Sequence, residues 1–233
     1  LAKTLSRAVQ ERRAPVIVEA DDATRARWRQ RDWYSTPPWA SRAGARFVLS
    51  VAPQTKSVWE PACGDGIMAE CLAEYFPEVK ASDIEPTYSE AFGAVDFLRA
   101  PISDEPQCDM IVTNPPFEHA AEFVRIGLKA ARIGVAVLCR AAFLESVERA
   151  DLHYGDAVQL HAMAPFSERV PMQLGPWNPA CSTATMYAWF LYLREPKPDH
   201  WPSIIPIRPG TRAALSRPGD IARFVKPADG SLL

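Results

Sequence analysis

Asn114-Pro115-Pro116-Phe117 follows an apolar run, 110–113, that reads as a strand. Two prolines fix the backbone there and remove two N–H donors. Such a loop therefore offers acceptors: the Asn114 side-chain carbonyl and the backbone carbonyls beside it. Two acceptors can take both hydrogens of an exocyclic amino group, or hold a planar amide. Phe117 adds a ring face on which a planar group can stack. Asn-Pro is also a common turn opener and Phe a common core residue. The weight of the motif comes from its position, at a strand end in an alternating strand–helix pattern.

Two further loops carry chemistry. Glu60-Pro61-Ala62-Cys63-Gly64-Asp65-Gly66 stands directly after a strand (58–60) and directly before a helix (67–75). Glycines permit positive φ and close approach of backbone to a ligand, and the helix start attracts a carboxylate or phosphate. A lone Gly-x-Gly is common in turns. Asp83, followed by Ile84-Glu85-Pro86, ends the next strand (79–83) about 20 residues on, where an acid suits two hydrogen bonds to ribose hydroxyls. A helix-capping role is the other reading of that Asp. Together the two loops point to a nucleoside-containing cofactor. The helix start has no third glycine and no phosphate cradle, which tilts the reading toward S-adenosylmethionine, a cofactor without phosphate.

These loops need a scaffold. Beyond the strands and helix just given, residues 94–98 and 134–139 read as strands, and 157–163 and 184–193 as closing strands. Residues 118–132 have helical spacing through Phe123, Ile126 and Leu128, and 142–150 read as helix. Alternating strands and helices imply an α/β, doubly wound, mostly parallel Rossmann-like sheet with an antiparallel closing strand. Its ligand site is expected at the carboxyl ends of the strands, at the switch point. Residues 1–40 read as a basic, helical N-terminal arm that becomes extended over 33–38, with Ser41 expected to cap a short helix. Residues 41–193 form the expected folded domain, and 194–233 an extended, proline-rich basic tail.

Composition narrows the classes. At 48% hydrophobic and 23% charged residues the chain has a soluble globular composition. No apolar run approaches the roughly 20 residues of a membrane helix, and no charged start precedes an apolar block. Membrane and secreted classes are not expected, and a cytoplasmic location is. The five cysteines are scattered without a Cys-x-x-Cys pair, and the four histidines lack ligand spacing, so no metal site is expected. Cys63 and Cys139 are expected to be buried and structural. Residues 1–46 carry ten basic and five acidic groups, 47–193 nine and nineteen, and 194–233 seven and four. The densest basic stretch is Arg25, Arg27, Arg29 and Arg31. It can lay a polyanion along one rim, or be a solvated helix face.

Read in order, Thr36-Pro37-Pro38, Glu60 to Gly66, Asp83-Ile84-Glu85-Pro86, Asp96-Phe97-Leu98 and Asn114-Pro115-Pro116-Phe117 resemble the motif set of the N6-adenine DNA methyltransferases. The Thr-Pro-Pro segment coming first matches their gamma arrangement, and the resemblance spans about residues 33–193. The Asn-Pro-Pro-aromatic motif alone is shared with glutamine and guanine N-methyltransferases. Residues 166–172 and 182–184 resemble small phage-type members.

The resemblance implies S-adenosylmethionine-dependent methyl transfer to adenine N6, with a nucleic acid, DNA first, as partner. Thr36 would hold the methionine carboxylate, and the loop with Glu60, Ala62, Gly64, Asp65 and Gly66 would wrap the methionine end. Asp83, with Ile84, would take the ribose, Asp96 the cofactor adenine amino group, and Phe97 would lie beside that ring. Asn114 and Pro115 would accept from the target amino group while Phe117 stacks on the target base. The larger relatives carry a separate recognition domain, for which 194–233 is short. The basic arm and tail are therefore expected to bind backbone. An N-methyltransferase acting on RNA bases or protein glutamine, and a non-catalytic partner of the same fold, are the alternatives.

Overall fold

The computed structural model describes residues 20–101, 103, 105–195 and 200–225; residues 1–19 of the arm and 226–233 of the tail lie outside them. Its centre is a pair of apolar runs, β3 (Cys108–Thr113) and β4 (Ala131–Arg140), buried on both faces as central parallel strands must be. β1 (Ser57–Glu60) pairs in parallel with β3 on one side and with β2 (Glu78–Ala81) on the other. β6 (Tyr187–Leu193) runs antiparallel between β4 and β5 (Leu160–Pro165), and the two-residue β7 (Ser203–Ile204) adds a parallel edge to β5. The strand order is β2-β1-β3-β4-β6-β5-β7.

Side-chain alternation splits the core between the two faces. Met110, Val112, Ala136, Leu138, Trp189 and Leu191 pack under α2 (Pro38–Val51) and α3 (Ile67–Leu72). Ile111, Val135, Val137, Phe190 and Tyr192 face the other way, under α4 (Ala120–Ala130) and α5 (Ala150–Tyr154). Trp189 is fully buried against α2, its indole N–H donating to the Ala40 carbonyl, and a Cβ at Gly44 would overlap its ring. The chain leaves β1 toward one face and β3 toward the other. The crevice between those two carboxyl ends is where such a sheet binds ligands.

Several local expectations are corrected. Residues 94–98 are not a strand: a single bridge joins Asp83 and Ala94, after which Asp96 folds the chain into a turn by accepting from the Leu98 N–H. Ser41 caps nothing, since α2 begins three residues earlier at Pro38, a favourable first helical position for proline, and Ser41 is buried inside the helix. The helix expected over 142–150 is two 3-10 turns, Ala141–Leu144 and Val147–Arg149, ahead of α5. Ser146 causes the break by accepting from the Glu148 N–H.

The tail is not extended either. Its described part forms β7, α6 (Thr211–Leu215) and α7 (Asp220–Phe224). Arg42 of α2, 1% exposed, staples these helices down. Its guanidinium donates to both Glu74 oxygens at 2.7 and 3.0 Å, to both Asp220 oxygens at 2.7 Å, and to the Leu215 carbonyl at 2.8 Å. All five N–H donors are thereby used. Arg217 adds a 2.7 Å ion pair to Glu74. Removing one partner of buried ions leaves the others unpaired, so Arg42→Met should cost about 3–5 kcal/mol. Urea unfolding measures this, and limited proteolysis should find the 200–225 segment cut first; a loss below about 1 kcal/mol, the range of an exposed pair, would contradict the staple.

Candidate functional site

The Asn114 loop leaves β3 at the crevice with its side-chain amide held in one orientation. Asn114 Nδ2 donates to the Tyr34 carbonyl at 2.8 Å, which leaves Oδ1 buried with no hydrogen-bond partner. Thr113 Oγ1 and Glu60 Oε2 are likewise buried and unpartnered. Buried polar atoms are ordinarily paired. Three such orphans therefore cluster at the carboxyl ends of β1 and β3. Phe117 follows at a 3-10 turn leading into α4, its backbone N–H donating to Asp32 Oδ2 at 2.6 Å. Asp32 sits at φ 49°, the only positive φ of a non-glycine among the described residues.

Gly64 and Gly66 have φ of 50° and 83°, which a side chain resists. A Cβ on Gly64 would come 2.7 Å from the Trp33 indole nitrogen, and one on Gly66 would overlap the Tyr88 ring. Asp83 clamps the loop, Oδ2 accepting from Gly64 N–H at 2.9 Å and Oδ1 from Glu85 N–H at 3.0 Å. The Ser35 hydroxyl donates to Asp65 Oδ2 at 2.5 Å. Residues 32–36 thus bind both loops at once, and Tyr34 is itself pinned by a bridge to Gly175.

The crevice is acidic. Glu60 is 2% exposed, and burial, reinforced by the charges of Asp65 and Asp83, holds its carboxyl well above the usual range. Burial also raises Asp83. Such a cluster favours a cationic ligand, whose charge would relieve the repulsion. No group of three or more His, Cys, Asp or Glu side chains among the described residues is arranged to hold a metal ion. Cys63 and Cys139 are buried with thiols pushed up by desolvation, the opposite of an activated nucleophile.

The remaining expected residues are distributed unevenly. Thr36 is buried in the bridging segment, Ala62 is half-buried, and Ile84 stands 60% exposed beside Asp83. Asp96 caps its own turn and pairs with Arg99 at 3.6 Å. Phe97 is a core side chain, 4% exposed, edge-on to Trp59 and 5.1 Å from Phe123. Of the arm arginines on α1 (Asp22–Gln30) and just beyond it, Arg27 and Arg31 both reach Glu85. Asp32, Tyr34, Ser35, Gly175, Arg140 and Tyr187 were not singled out from sequence. For the first three the available signal was their continuity with Thr36, and for Gly175 the Gly-Pro pair of a turn.

No family model and no curated protein matches the chain. Solved structures do. The methyltransferase subunit of a type I restriction-modification system from Streptococcus thermophilus aligns over 74% of this chain and 47% of its own, at 10% identity and TM-score 0.54. A protein described as an RNA methyltransferase, from Pyrococcus horikoshii, aligns over 76% and 90%, at 14% identity and TM-score 0.53. A protein described as the modification subunit of a type I restriction enzyme, from Vibrio vulnificus, aligns over 76% and 48%, at 18% identity and TM-score 0.51. The chain spans about half the length of the two restriction-system subunits. The fold is the Rossmann-like fold of methyltransferases. No helix among the described residues is long and apolar enough to cross a membrane.

The Glu60 carboxyl gives a signed prediction. Its folded pKa is raised, so the native state binds the extra proton, and stability falls as pH rises from about 4.3 through the folded value. Glu60→Gln should stabilise the ligand-free protein at pH 7 by about 0.5–2 kcal/mol, and the gain should vanish near pH 4. Thermal unfolding at both pH values checks this; a Gln variant less stable at pH 7 would refute the assigned burial cost.

Proposed function

We propose that the chain is an S-adenosylmethionine-dependent methyltransferase acting on the exocyclic N6 amino group of adenine, with DNA as its first substrate. The observation that carries this reading is the Asn114 amide, whose Nδ2 is committed to Tyr34 while Oδ1 waits without a donor. Any N–H or O–H group can satisfy such an acceptor, and an exocyclic NH2 group is one such donor. The motif resemblance selects adenine, and the fold is compatible with it.

The cofactor fits the donor set described above. The Glu60–Gly66 loop and Thr36 would hold its methionine end, Asp83 and Ile84 its ribose, and Asp96 its adenine amino group. Phe97 would serve from the core, supporting the turn that carries Asp96. A cationic sulfonium end would be compensated by Asp65 and Asp83 and would draw the raised Glu60 carboxyl back toward its ionised form. Bound there, the cofactor supplies an already activated methyl group.

The chain's own residues then prepare the acceptor. The adenine N6 lone pair is delocalised into the ring and is a poor nucleophile. Asn114 Oδ1 and the Pro115 carbonyl accept the two amino hydrogens and draw the nitrogen toward tetrahedral geometry, which returns the lone pair to nitrogen. Phe117 stacks on the base and sets its plane. Positioning and fixed dipoles carry the catalysis, with no covalent intermediate on the protein. A paired base cannot reach this crevice, so it must be flipped or single-stranded. Arg25 and Arg29, four apart and on one face of α1, are assigned to phosphate contacts, since Arg27 and Arg31 are engaged by Glu85.

Purified protein with labelled cofactor and excess chelator, offered DNA, RNA and protein separately, tests the reading. Label should enter DNA as N6-methyladenine; label in RNA or in glutamine alone would replace it with the corresponding alternative. Asn114→Ala should lower turnover by about 10²–10³-fold or more while calorimetric cofactor affinity stays near wild type. Asp83→Ala should instead weaken cofactor binding by about 1–3 kcal/mol. Arg25→Ala with Arg29→Ala should weaken DNA binding alike across sequences and flatten its salt dependence; unchanged salt slopes would remove the arm from the mechanism.

A further inference from the structure

The face of Phe117 is already occupied. The Arg140 guanidinium carbon lies 4.6 Å from the ring centroid, and Tyr34 and Tyr187 flank the ring at 5.6 and 6.1 Å. Arg140 is the last residue of β4 and exposed, and its charge acts on the Tyr187 phenol beside it. It lines an open cleft together with Phe117, Cys139, Ala142, Phe143 and Arg149.

The two arginines of this cleft differ in what holds them. Arg149 is anchored to backbone: its Nε and Nη2 donate to the Phe143 and Glu145 carbonyls, each at 3.1 Å, while it lies over the Phe143 ring. It fixes the turn that forms the cleft wall. Arg140 is held by an aromatic face and a phenol, and no ion pair to a carboxylate is found for it among the described residues. A cation–π contact at an exposed site is weak, and a charge-assisted, two-pronged hydrogen bond to phosphate is stronger. Arg140 is thus a guanidinium stored on a surface it can leave.

We propose that Arg140 is a substrate-positioning residue: it covers Phe117 in the free protein, yields that face to the incoming adenine, and takes a phosphate flanking the adenosine being methylated. This inference rests on the adenine reading above and narrows its substrate class to phosphodiester-linked adenine, excluding the free base, the nucleoside and a protein amide. Charge arrangement supports the choice. Asp65 and Asp83 put negative charge on the proposed cofactor side of the crevice, which repels a polyanion. A cation beside the Asn114 loop holds the strand where the base can still enter. The base trades places with the guanidinium by rotation of one flexible side chain, with no movement of β4.

The test uses the full chain saturated with S-adenosylmethionine, and compares adenosine, adenosine monophosphate and single-stranded DNA oligonucleotides as acceptors. Arg140→Gln keeps a polar side chain but lacks the charge; Arg140→Lys keeps the charge but not the fork. For oligonucleotides, Arg140→Gln should raise KM by about tenfold or more with kcat little changed, the signature of lost binding rather than lost chemistry. The salt slope of binding should fall by about one, and Arg140→Lys should recover part of KM. Replacing the flanking phosphate by a neutral methylphosphonate should cost the wild type the same factor and Arg140→Gln almost nothing, an arm that needs no variant to fold in order to show the loss. Adenosine turned over by wild type as well as the oligonucleotide would overturn the proposal. So would an Arg140→Gln protein with wild-type KM and salt slope, in either case leaving adenine methylation intact. A wild type that methylates only protein amides, or nothing, overturns the underlying reading and this one with it.

Discussion

The hydrogen bond from Asn114 Nδ2 to the Tyr34 carbonyl decides which end of the amide meets the crevice, because a carbonyl can only accept and so must be met by the NH2 end. Once that is fixed, Oδ1 is left buried without a hydrogen-bond partner. The rest of the site is organised to keep Tyr34 where it is. Asp32, two residues before it, accepts from the Phe117 N–H; Ser35, one residue after it, donates to Asp65; and Gly175 pairs with it from the far end of the chain. One short segment therefore sets the spacing between the loop assigned to the cofactor and the loop assigned to the acceptor. A shift in residues 32–36 would disturb both, which is the reason to regard them as one unit rather than two neighbouring sites.

Electrostatics divides that unit. On the side of β1 and β2, three carboxylates crowd together, and Glu60 carries a cost in the ligand-free protein that a cation would remove. On the side of β4, two arginines lie on aromatic rings around an open cleft. The two halves of the crevice thus differ in charge, as the proposed sulfonium cofactor and polyanionic acceptor would require. That electrostatic cost is offset elsewhere, in cores on both faces of the sheet and in the Arg42 staple that ties α6 and α7 to α2.

Much of this was legible in the sequence, for a physical reason that also sets its limits. Strands β1, β3, β4 and β6 announced themselves through runs of apolar residues, and the loops through Gly and Pro, since backbone geometry and alternation are local properties. The same reasoning over-read 94–98, where Asp96 turns the chain by capping itself, and 142–150, where Ser146 does so. The resemblance put Phe97 beside the cofactor ring, and its contacts with Trp59 and Phe123 in the core have no counterpart in the local pattern.

By itself the sequence determined the chemistry on offer: acceptors after two prolines, glycines able to take positive φ, an acid at a strand end, and a pattern that had to become a parallel sheet. What only the tertiary structure decided was which of those groups are already spent. Asn114 meets Tyr34 across 80 residues, Phe117 meets Asp32 across 85, and Arg42 meets Asp220 across 178. Such partners share no local pattern, because a hydrogen bond depends on where two chain segments meet in space and not on their separation along the chain. The three orphaned oxygens at the carboxyl ends of β1 and β3 became visible only once the partners of the other buried side-chain polar atoms among the described residues were known.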